Sequence, residues 1–250
     1  MKKVSIIIPS YNHSLYIEET IRSIYSQSYL DKEIIVIDDG SKDNSPEIIE
    51  KLALHYGFRY VLKKNEGVCK TLNLGLDMAT GDYIVFIASD DTFEGNRLQE
   101  QVEILDSRPD VDVVAGGVNL IDNKSEFLFT KRPLKKGLIT FDDIARKNII
   151  NAPTCMIRKS VYQRFGKYRE DYLYEDYYLW LKVLKNGGKI LVVDNIWANY
   201  RYMSGNMSNR VEFYYKGIKQ ILSDYLPHPQ IQKTLNRARL VYCVKSVLFE

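Results

Sequence analysis

The 250-residue sequence has few cysteines, and the three it has, Cys69, Cys155 and Cys243, lie far apart. No Cys-x-x-Cys pair occurs, which excludes a zinc ribbon and a redox dithiol because both need neighbouring thiols. A reducing cytoplasm is the simplest setting for such a composition. The expected location is therefore the cytoplasm, and the inner face of the membrane stays open as an alternative.

Neither sign of charge dominates, and no long apolar run is present. The 35 basic and 32 acidic residues leave a formal net charge of +3, which gives no reason to expect a nucleic-acid partner. The apolar run from Val4 to Ile8 ends at Pro9, too soon for a secretory signal, and no stretch approaches the roughly 20 apolar residues that cross a bilayer. Peripheral membrane association and oligomerisation remain open.

A glycine-rich phosphate loop is also missing. Pro9-Ser10-Tyr11-Asn12 follows the first apolar run, where a dinucleotide-binding protein has Gly-x-Gly-x-x-Gly and an ATPase has a Walker loop. This absence argues against a dehydrogenase, a nucleotide kinase and an ATPase.

The first hundred residues alternate between short β-branched runs and segments of helical periodicity. That alternation predicts a mostly parallel central sheet flanked by helices, which is an α/β fold. The predicted strands of this part are Val4–Ile8, Glu33–Asp38, Phe58–Leu62 and Tyr83–Ile87.

The pattern weakens further along the chain, and residues 119–151 show no sustained period. From about Arg210 apolar residues interleave with lysine and arginine, which predicts a helical extension that packs on its own domain or lies on a membrane. An apolar run extends from Val111 to Val118. The predicted elements between them are strands at Ala152–Ile157, Ile190–Asp194 and Trp197–Tyr202, a short helix near Phe141–Lys147, and a helix at Tyr174–Lys185.

Acidic pairs follow two of the predicted strands. Asp38-Asp39 ends the second strand and Asp90-Asp91 the fourth, where ligands of open α/β sheets bind. A diphosphate on an acidic rim needs a divalent cation, and carboxylates suit Mn²⁺ or Mg²⁺. Tyr11 offers a flat face for a nucleotide base. The alternative is ordinary turn chemistry, since Asp-Gly is a turn signal.

A third pair, Glu175-Asp176, lies among aromatic residues. A carboxylate beside aromatic faces suits a sugar whose hydroxyl is deprotonated. Acids at a helix start also oppose the helix dipole, and a core stripe through Leu173, Trp180 and Leu184 would explain the same pattern structurally. The surrounding rings are Tyr172, Tyr174, Tyr177, Tyr178 and Trp180.

Over roughly Val4 to Ser208 the chain resembles the family-two, inverting glycosyltransferases with the GT-A fold, which are nucleotide-diphosphosugar transferases. The resemblance rests on an ordered series of motifs. The series is Val4-Ser5-Ile6-Ile7-Ile8-Pro9-Ser10-Tyr11-Asn12, Ile35-Val36-Ile37-Asp38-Asp39-Gly40-Ser41, Asn65-Glu66-Gly67 with Asn73 and Gly75, Gly81-Asp82-Tyr83-Ile84 leading to Ser89-Asp90-Asp91, and Glu175-Asp176-Tyr177-Tyr178-Leu179-Trp180.

The resemblance implies a role for each matching residue. Asp39 would receive the donor base, Tyr11 would stack on it, Asp90 would face the ribose or donor sugar, Asp91 would hold the metal, and Asp176 would be the catalytic base. Glu175 and Trp180 would contact the acceptor or cap the helix. The remaining donor-nucleotide residues would be Pro9, Asn12, Gly67, Lys70 and Asn73.

Two positions depart from the family pattern. Leu72 stands where members often carry an arginine, so phosphate contact falls to Lys70 or is lost. Met203 stands where many have a histidine, and a thioether is a poor ligand for a hard cation, so the metal would rely on Asp91, the diphosphate and water. The Gln-x-x-Arg-Trp signature of processive synthases is absent, which favours transfer of a single sugar.

The resemblance predicts a catalytic domain at residues 1–209, with a nucleotide-binding half at about 1–118 and an acceptor half at about 119–209, and a helical extension at 210–250. The expected reaction is inverting transfer from a nucleotide sugar, a UDP-hexose by family likeness, to a hydroxyl of a glycan, lipid-linked sugar or glycoprotein. The alternatives are a nucleotidyltransferase, which would want a glycine-rich loop, and a non-catalytic sugar-binding or assembly module.

Overall fold

The structure, a computed structural model, describes residues 2–202 and 211–248. Its first part alternates strand and helix as the sequence predicts. The elements are β1 (Val4–Ser10), α1 (Ile17–Tyr25), β2 (Lys32–Asp38), α2 (Ser45–Tyr56), β3 (Arg59–Leu62), α3 (Val68–Met78), β4 (Tyr83–Phe86), β5 (Thr92–Phe93) and α4 (Arg97–Ser107).

The second part has shorter strands and a different order of elements. Its last helices end the described part of the chain. The elements are β6 (Val113–Ile121), β7 (Phe127–Lys131), β8 (Gly137–Ile139), α5 (Phe141–Arg146), β9 (Met156–Arg158), α6 (Ser160–Phe165), α7 (Glu175–Lys185), β10 (Ile190–Arg201), α8 (Val211–Ser223) and α9 (Pro229–Leu248).

Local sequence explains the boundaries of the early elements. β1 is apolar along most of its length because helices cover both faces of the sheet there. Pro46 sits in the first turn of α2, where its missing N–H is not needed. Gly57 ends that helix with φ 75°, a left-handed conformation that glycine adopts without steric cost.

The described strands form one sheet, with a path in the order β3-β2-β1-β4-β9-β6-β10-β5. β2 and β4 lie on either side of β1, and both run parallel to it. Their carboxyl ends therefore meet at one edge, with β1 between them. This arrangement brings the Asp38-Asp39 and Asp90-Asp91 loops to the same rim.

The fold class is confirmed, although the sheet is more mixed than its first half. β3, β2, β1 and β4 are parallel, and so are β6 and β10. β9 runs antiparallel to both β4 and β6, and β5, β7 and β8 each pair antiparallel at the far side. β9 thus joins the two parallel groups.

Helices cover both faces, and each face has its own apolar core. One core includes Ile21 of α1, Ile49 of α2 and Leu98 of α4. The other includes Leu72 of α3 and Leu179 of α7, together with residues of α5 and α8. The three-layer arrangement fixes the sheet edge on which the acidic loops lie.

Two predicted strand boundaries were wrong. Residues 152–157 do not form one strand, because Pro153 lies in a 3-10 turn (Ala152–Thr154) and β9 begins only at Met156. The two late strands are one strand, β10, whose pairing with β6 shifts register between Val192 and Ile196. A bulge therefore replaces the predicted break.

The basic C-terminal pattern forms α9, which packs against its own domain in the described part. Ile231 is fully buried, Leu235 packs on the core, and the Thr234 hydroxyl donates to the carbonyl of Ala145 at 2.8 Å. Within residues 2–202 and 211–248 no helix is long and apolar enough to span a bilayer.

Candidate functional site

The loop after β2 is held by hydrogen bonds to its carboxylates. Asp38 accepts from the backbone N–H of Ser41 at 2.8 Å. Asp39 accepts from the backbone N–H groups of Glu66 and Gly67, both at 2.9 Å, and its carboxylate pairs with Lys63. Asp39 therefore joins this loop to the start of α3.

The loop after β4 is fixed from two sides. The Thr20 hydroxyl of α1 lies 2.9 Å from the carbonyl oxygen of Ser89 and 2.7 Å from that of Asp91. The fully buried Arg201 of β10 donates its backbone N–H to Asp91 Oδ1 at 2.9 Å and its Nε to the Asp90 carbonyl at 2.8 Å. The loop is thus rigidly placed at the rim.

Asp91 is under electrostatic strain in this position. It is 1% exposed, and burial followed by the charge of Asp90 raises its pKa well above the usual range. A bound cation would relieve both effects. No group of three metal-ligating side chains occurs in residues 2–202 and 211–248, so a divalent ion held at Asp91 or Asp90 would need further ligands from substrate and water.

His13 borders the same loop. Its Nδ1 lies 2.8 Å from the Ser89 hydroxyl and 3.6 Å from Asp90 Oδ1. The ring therefore helps to orient Asp90, a contact that the sequence patterns did not indicate.

A cavity of about 260 Å³, here called the central cavity, brings the carboxylates of two loops together. Asp91 from the end of β4 and Glu175 and Asp176 from the start of α7 all line it. Pro9 and Trp180 line it too, and most of the remaining lining is apolar. The Nε1 of Trp180 is buried and has no hydrogen-bond partner in the described residues.

The carboxylates at the start of α7 are partly buried, and this changes their acidity. Burial raises the pKa of Asp176, while hydrogen bonds from the backbone N–H of Tyr177 at 2.6 Å and from Asn148 Nδ2 at 3.1 Å oppose the rise. Burial, and then the charge of Asp176, raises the pKa of Glu175 to about 7. The pair is therefore suited to exchange protons near neutral pH.

Asp176 also borders a second cavity of about 400 Å³, here called the side cavity. Ala152, Pro153 and Tyr200 line both cavities with it. Lys131 of β7 lines the side cavity but not the central cavity. Asp176 thus lies where two differently lined spaces meet.

The other residues predicted to bind the nucleotide lie around the rim, and they differ in their exposure and in the contacts they make. Tyr11 is 42% exposed, so its side chain is accessible to a ligand. Lys70 is exposed and pairs with Glu66 at 3.2 Å. The side-chain amide of Asn73 makes two hydrogen bonds with the backbone of Tyr168: its Nδ2 donates to the carbonyl oxygen at 2.9 Å, and its Oδ1 accepts from the N–H at 3.0 Å.

Asn12 and Gly67 hold unusual backbone conformations near the rim. Asn12 has φ 55°, and its side chain accepts from the Lys42 N–H at 2.8 Å. Gly67 has φ 93°, which glycine adopts readily, and its N–H reaches Asp39. Met203 lies outside the described residues.

Sequence reasoning missed two groups that position the site. Asn148, in the segment without periodicity, holds Asp176. Arg97 and Gln101 of α4 are fully buried, and they donate to the carbonyls of Pro153 and Thr154, at 2.8 and 2.7 Å. Their four-residue spacing inside an apolar helix stripe was the available signal.

The central sheet with helices on both faces is the α/β fold of the GT-A type. The sequence profile of glycosyl transferase family 2 matches residues 5–166, more than half of the chain. The chain belongs to glycosyl transferase family 2.

Two relatives illustrate the similarity. An uncharacterized glycosyltransferase of Rickettsia prowazekii is 35% identical over 190 residues, which cover 73% of this chain and 58% of that protein. The UDP-Gal:alpha-D-GlcNAc-diphosphoundecaprenol beta-1,3-galactosyltransferase of Escherichia coli is 26% identical over 230 residues, which cover 89% of this chain and 80% of that protein. The chain thus spans well under two thirds of the first relative.

Solved structures share the fold. Residues 1–349 of S. aureus TarS in complex with UDP-GlcNAc superpose with a TM-score of 0.73 at 22% identity, covering 94% of this chain and 72% of that one. The mannosyltransferase PcManGT from Pyrobaculum calidifontis, in complex with GDP-Man and Mn²⁺, gives 0.69 at 20% identity, covering 96% and 70%.

Proposed function

We propose that the protein is a metal-dependent, inverting glycosyltransferase that moves one hexose from a UDP-sugar to an acceptor hydroxyl. The observation that carries this proposal is the central cavity, which Asp91 and Asp176 line from opposite elements. The nucleotide diphosphate lies at the Asp39 and Asp91 rim, with Tyr11, Pro9, Asn12, Gly67, Lys70, Asn73 and Asp90 around it.

The reaction is a single in-line displacement. The acceptor oxygen bonds to the anomeric carbon from the face opposite the diphosphate, the carbon–diphosphate oxygen bond breaks, and configuration inverts. Asp176 takes the proton that the acceptor oxygen loses, and burial, which raises its pKa, makes it a stronger base than an exposed aspartate. Asp91 would hold a divalent cation, which would stabilise the leaving diphosphate as a Lewis acid.

The boundary position of Asp176 supports its role as base. It lines both the central cavity, which Asp91 also lines, and the side cavity, which lies towards β6 and β7. A donor in the first and an acceptor in the second would meet at this carboxylate. Trp180 Nε1, which is buried without a partner in the described residues, offers a donor to a sugar hydroxyl there.

The relatives support the substrate classes. The Escherichia coli relative is named for a UDP-galactose donor and a diphosphoundecaprenol-linked acceptor, and the TarS structure holds UDP-GlcNAc. The Mn²⁺ in the PcManGT structure supports the metal. By this likeness the acceptor is a glycan, a lipid-linked sugar or a protein-linked sugar, and a lipid-linked one would place the enzyme at the inner face of the membrane.

A donor panel tests the proposal. The protein is incubated with UDP-glucose, UDP-galactose, UDP-N-acetylglucosamine and GDP-mannose, in Mn²⁺ or in EDTA, with a glycan extract as acceptor source. Metal-dependent release of a nucleoside diphosphate is expected from at least one UDP-sugar. Release of pyrophosphate from a nucleoside triphosphate would indicate a nucleotidyltransferase instead, and binding without release would indicate a non-catalytic module.

A further inference from the structure

A third cavity, of about 220 Å³, lies between α5, α7, α8 and α9 and is lined by positive charge. Its cationic lining is Arg146, Lys147 and Arg237, and we call it the cationic cavity. Among the residues that the structure describes, no acid lines it. Three exposed cationic side chains therefore border one concave site.

The three side chains have no partner of their own. In residues 2–202 and 211–248 the structure records no ion pair and no side-chain hydrogen bond for Arg146, Lys147 or Arg237. Many other cations of the chain are paired, as Lys135 is with Asp143. Like charges that line one cavity without a counter-ion repel, so an anion would stabilise this arrangement.

The cationic cavity adjoins the proposed base. Asn148, which lines it, donates to Asp176 Oδ2 at 3.1 Å. Tyr177, the next residue after Asp176, lines it as well. Asp176 itself faces the central and side cavities, so the base and the cationic cavity share one wall.

A further lysine lines the side cavity. Lys131 of β7 borders that cavity together with Asp176. Basic side chains therefore line both the side cavity and the cationic cavity, which lie on two sides of the proposed base.

We infer that the cationic cavity binds a phosphate group carried by the acceptor, close to the sugar whose hydroxyl reacts at Asp176. Arginine presents a planar fork of donors that matches phosphate oxygens, and two arginines with a lysine balance the charge of a phosphate monoester or a diphosphate. This assignment rests on the proposed function, which it narrows to phosphate-bearing acceptors.

Calorimetric titration tests the assignment without turnover. N-acetylglucosamine 1-phosphate is titrated into the protein in EDTA, beside N-acetylglucosamine and glucuronic acid. The phosphate is expected to bind at least about 10-fold more tightly than both, because charge-assisted hydrogen bonds exceed neutral ones. The double variant Arg146→Gln/Arg237→Gln should lose about 10- to 100-fold in affinity for it.

A matched control lies on the same helix. Arg239 is exposed on α9 and does not line the cavity, so Arg239→Gln should keep wild-type affinity. Should the double variant fail to fold by circular dichroism, Lys147→Gln, at an exposed side chain, provides the comparison and should weaken binding about 10-fold. Equal binding of phosphate and neutral sugar, or a double variant that binds normally, overturns the assignment.

Two further arms separate the sources of failure. Phosphatidylglycerol vesicles that recruit the wild type but not the double variant, with no sugar phosphate bound, would mean a lipid headgroup site and would overturn the acceptor assignment. UDP is titrated separately with Mn²⁺. If the wild type binds UDP but not the sugar phosphate, only this inference fails. If the wild type binds the sugar phosphate but not UDP, the proposed function fails instead.

Discussion

The acid pairs that follow β2 and β4 use their oxygens differently. Asp39 accepts from two backbone N–H groups and pairs with Lys63, so most acceptor positions of its carboxylate are occupied and Oδ2 has room for one more donor. Among the described residues Asp91 accepts one hydrogen bond, from the Arg201 N–H, and burial raises its pKa. A carboxylate that holds a loop can still accept one donor from a ligand, whereas a buried carboxylate with few donors is available to a cation.

The start of α7 resembles the β4 loop in this respect. Asp176 is partly buried and accepts few hydrogen bonds, and its pKa is also raised. The difference lies in the neighbours, since Asp176 also faces the side cavity and Asp91 does not. The proposed roles are donor binding for Asp39, metal binding for Asp91 and proton transfer for Asp176, and the following substitutions test them in order of expected effect.

Asp176→Asn should give the largest loss. Asparagine keeps the size and most hydrogen bonds of the side chain but cannot accept the proton, and positioned proton transfer contributes about 10²- to 10⁴-fold. Turnover should fall by that order, measured as nucleoside diphosphate release with the best donor. Near-normal turnover, or a defect confined to donor affinity, would mean that another carboxylate is the base.

Asp91→Asn should remove the metal-dependent part of UDP binding. In a thermal-shift titration, UDP should stabilise the wild type more in Mn²⁺ than in EDTA, and the variant should show the same shift in both. An equal wild-type shift with and without EDTA would contradict the metal role.

The same variant should melt higher without ligand. The raised pKa of Asp91 means that folding favours its protonated form, so the contribution of Asp91 to stability falls as pH rises from about 4 through its pKa in the folded protein. Asparagine escapes this loss, so the melting temperature of the variant at neutral pH should be higher than that of the wild type. An unchanged or lower melting temperature would argue against a strained carboxylate.

Asp39→Ala should weaken UDP by roughly 10-fold whether or not Mn²⁺ is present, because the contact is to the base rather than to the diphosphate. Alanine also leaves the Glu66 and Gly67 N–H groups without their acceptor, so the loop loses stability. Asp39→Asn retains an acceptor oxygen and controls for this. An effect that disappears in EDTA would place Asp39 at the metal instead.

Glu175→Gln should have the smallest effect on rate, within about 10-fold, and should leave its pH dependence in place. The base works as a carboxylate, so the rate falls as pH drops through the pKa of Asp176, which burial raises from its ordinary value. Glu175, whose pKa is raised to about 7, is mostly protonated below that pH and puts little charge beside Asp176 there. The acid limb of kcat should therefore stay where the wild type has it, and a limb that moves to lower pH would mean that the charge of Glu175 acts on the base.

The nucleotide half was predictable because its strands are apolar and its acids follow them directly. Strands β1, β2 and β4 lie where the sequence predicts them. The acid pairs that follow β2 and β4 do so as well. The 3-10 turn at Pro153 was missed because the apolar run around the proline was interpreted as a strand. The single strand β10 was predicted as two strands because the sequence of a bulge resembles that of a break between strands.

The acceptor side was far less predictable. Asn148 lies in a segment without periodicity, and its contact with Asp176 depends on how α5 and α7 meet. Arg146 and Arg237 are about ninety residues apart and share a cavity only because α9 packs on α5. No local sequence pattern indicates that two distant helices pack together, so the shared cavity could not be predicted from the sequence.

Parallel calorimetric titrations of UDP with Mn²⁺ into Asp91→Asn and Asp176→Asn test the division of labour most directly. Both carboxylates line the central cavity, so a general electrostatic role would make the two variants behave alike. The account predicts that Asp176→Asn binds UDP with wild-type affinity in Mn²⁺ while Asp91→Asn loses the gain that Mn²⁺ gives. Equal losses in both variants, or a loss confined to Asp176→Asn, would contradict it.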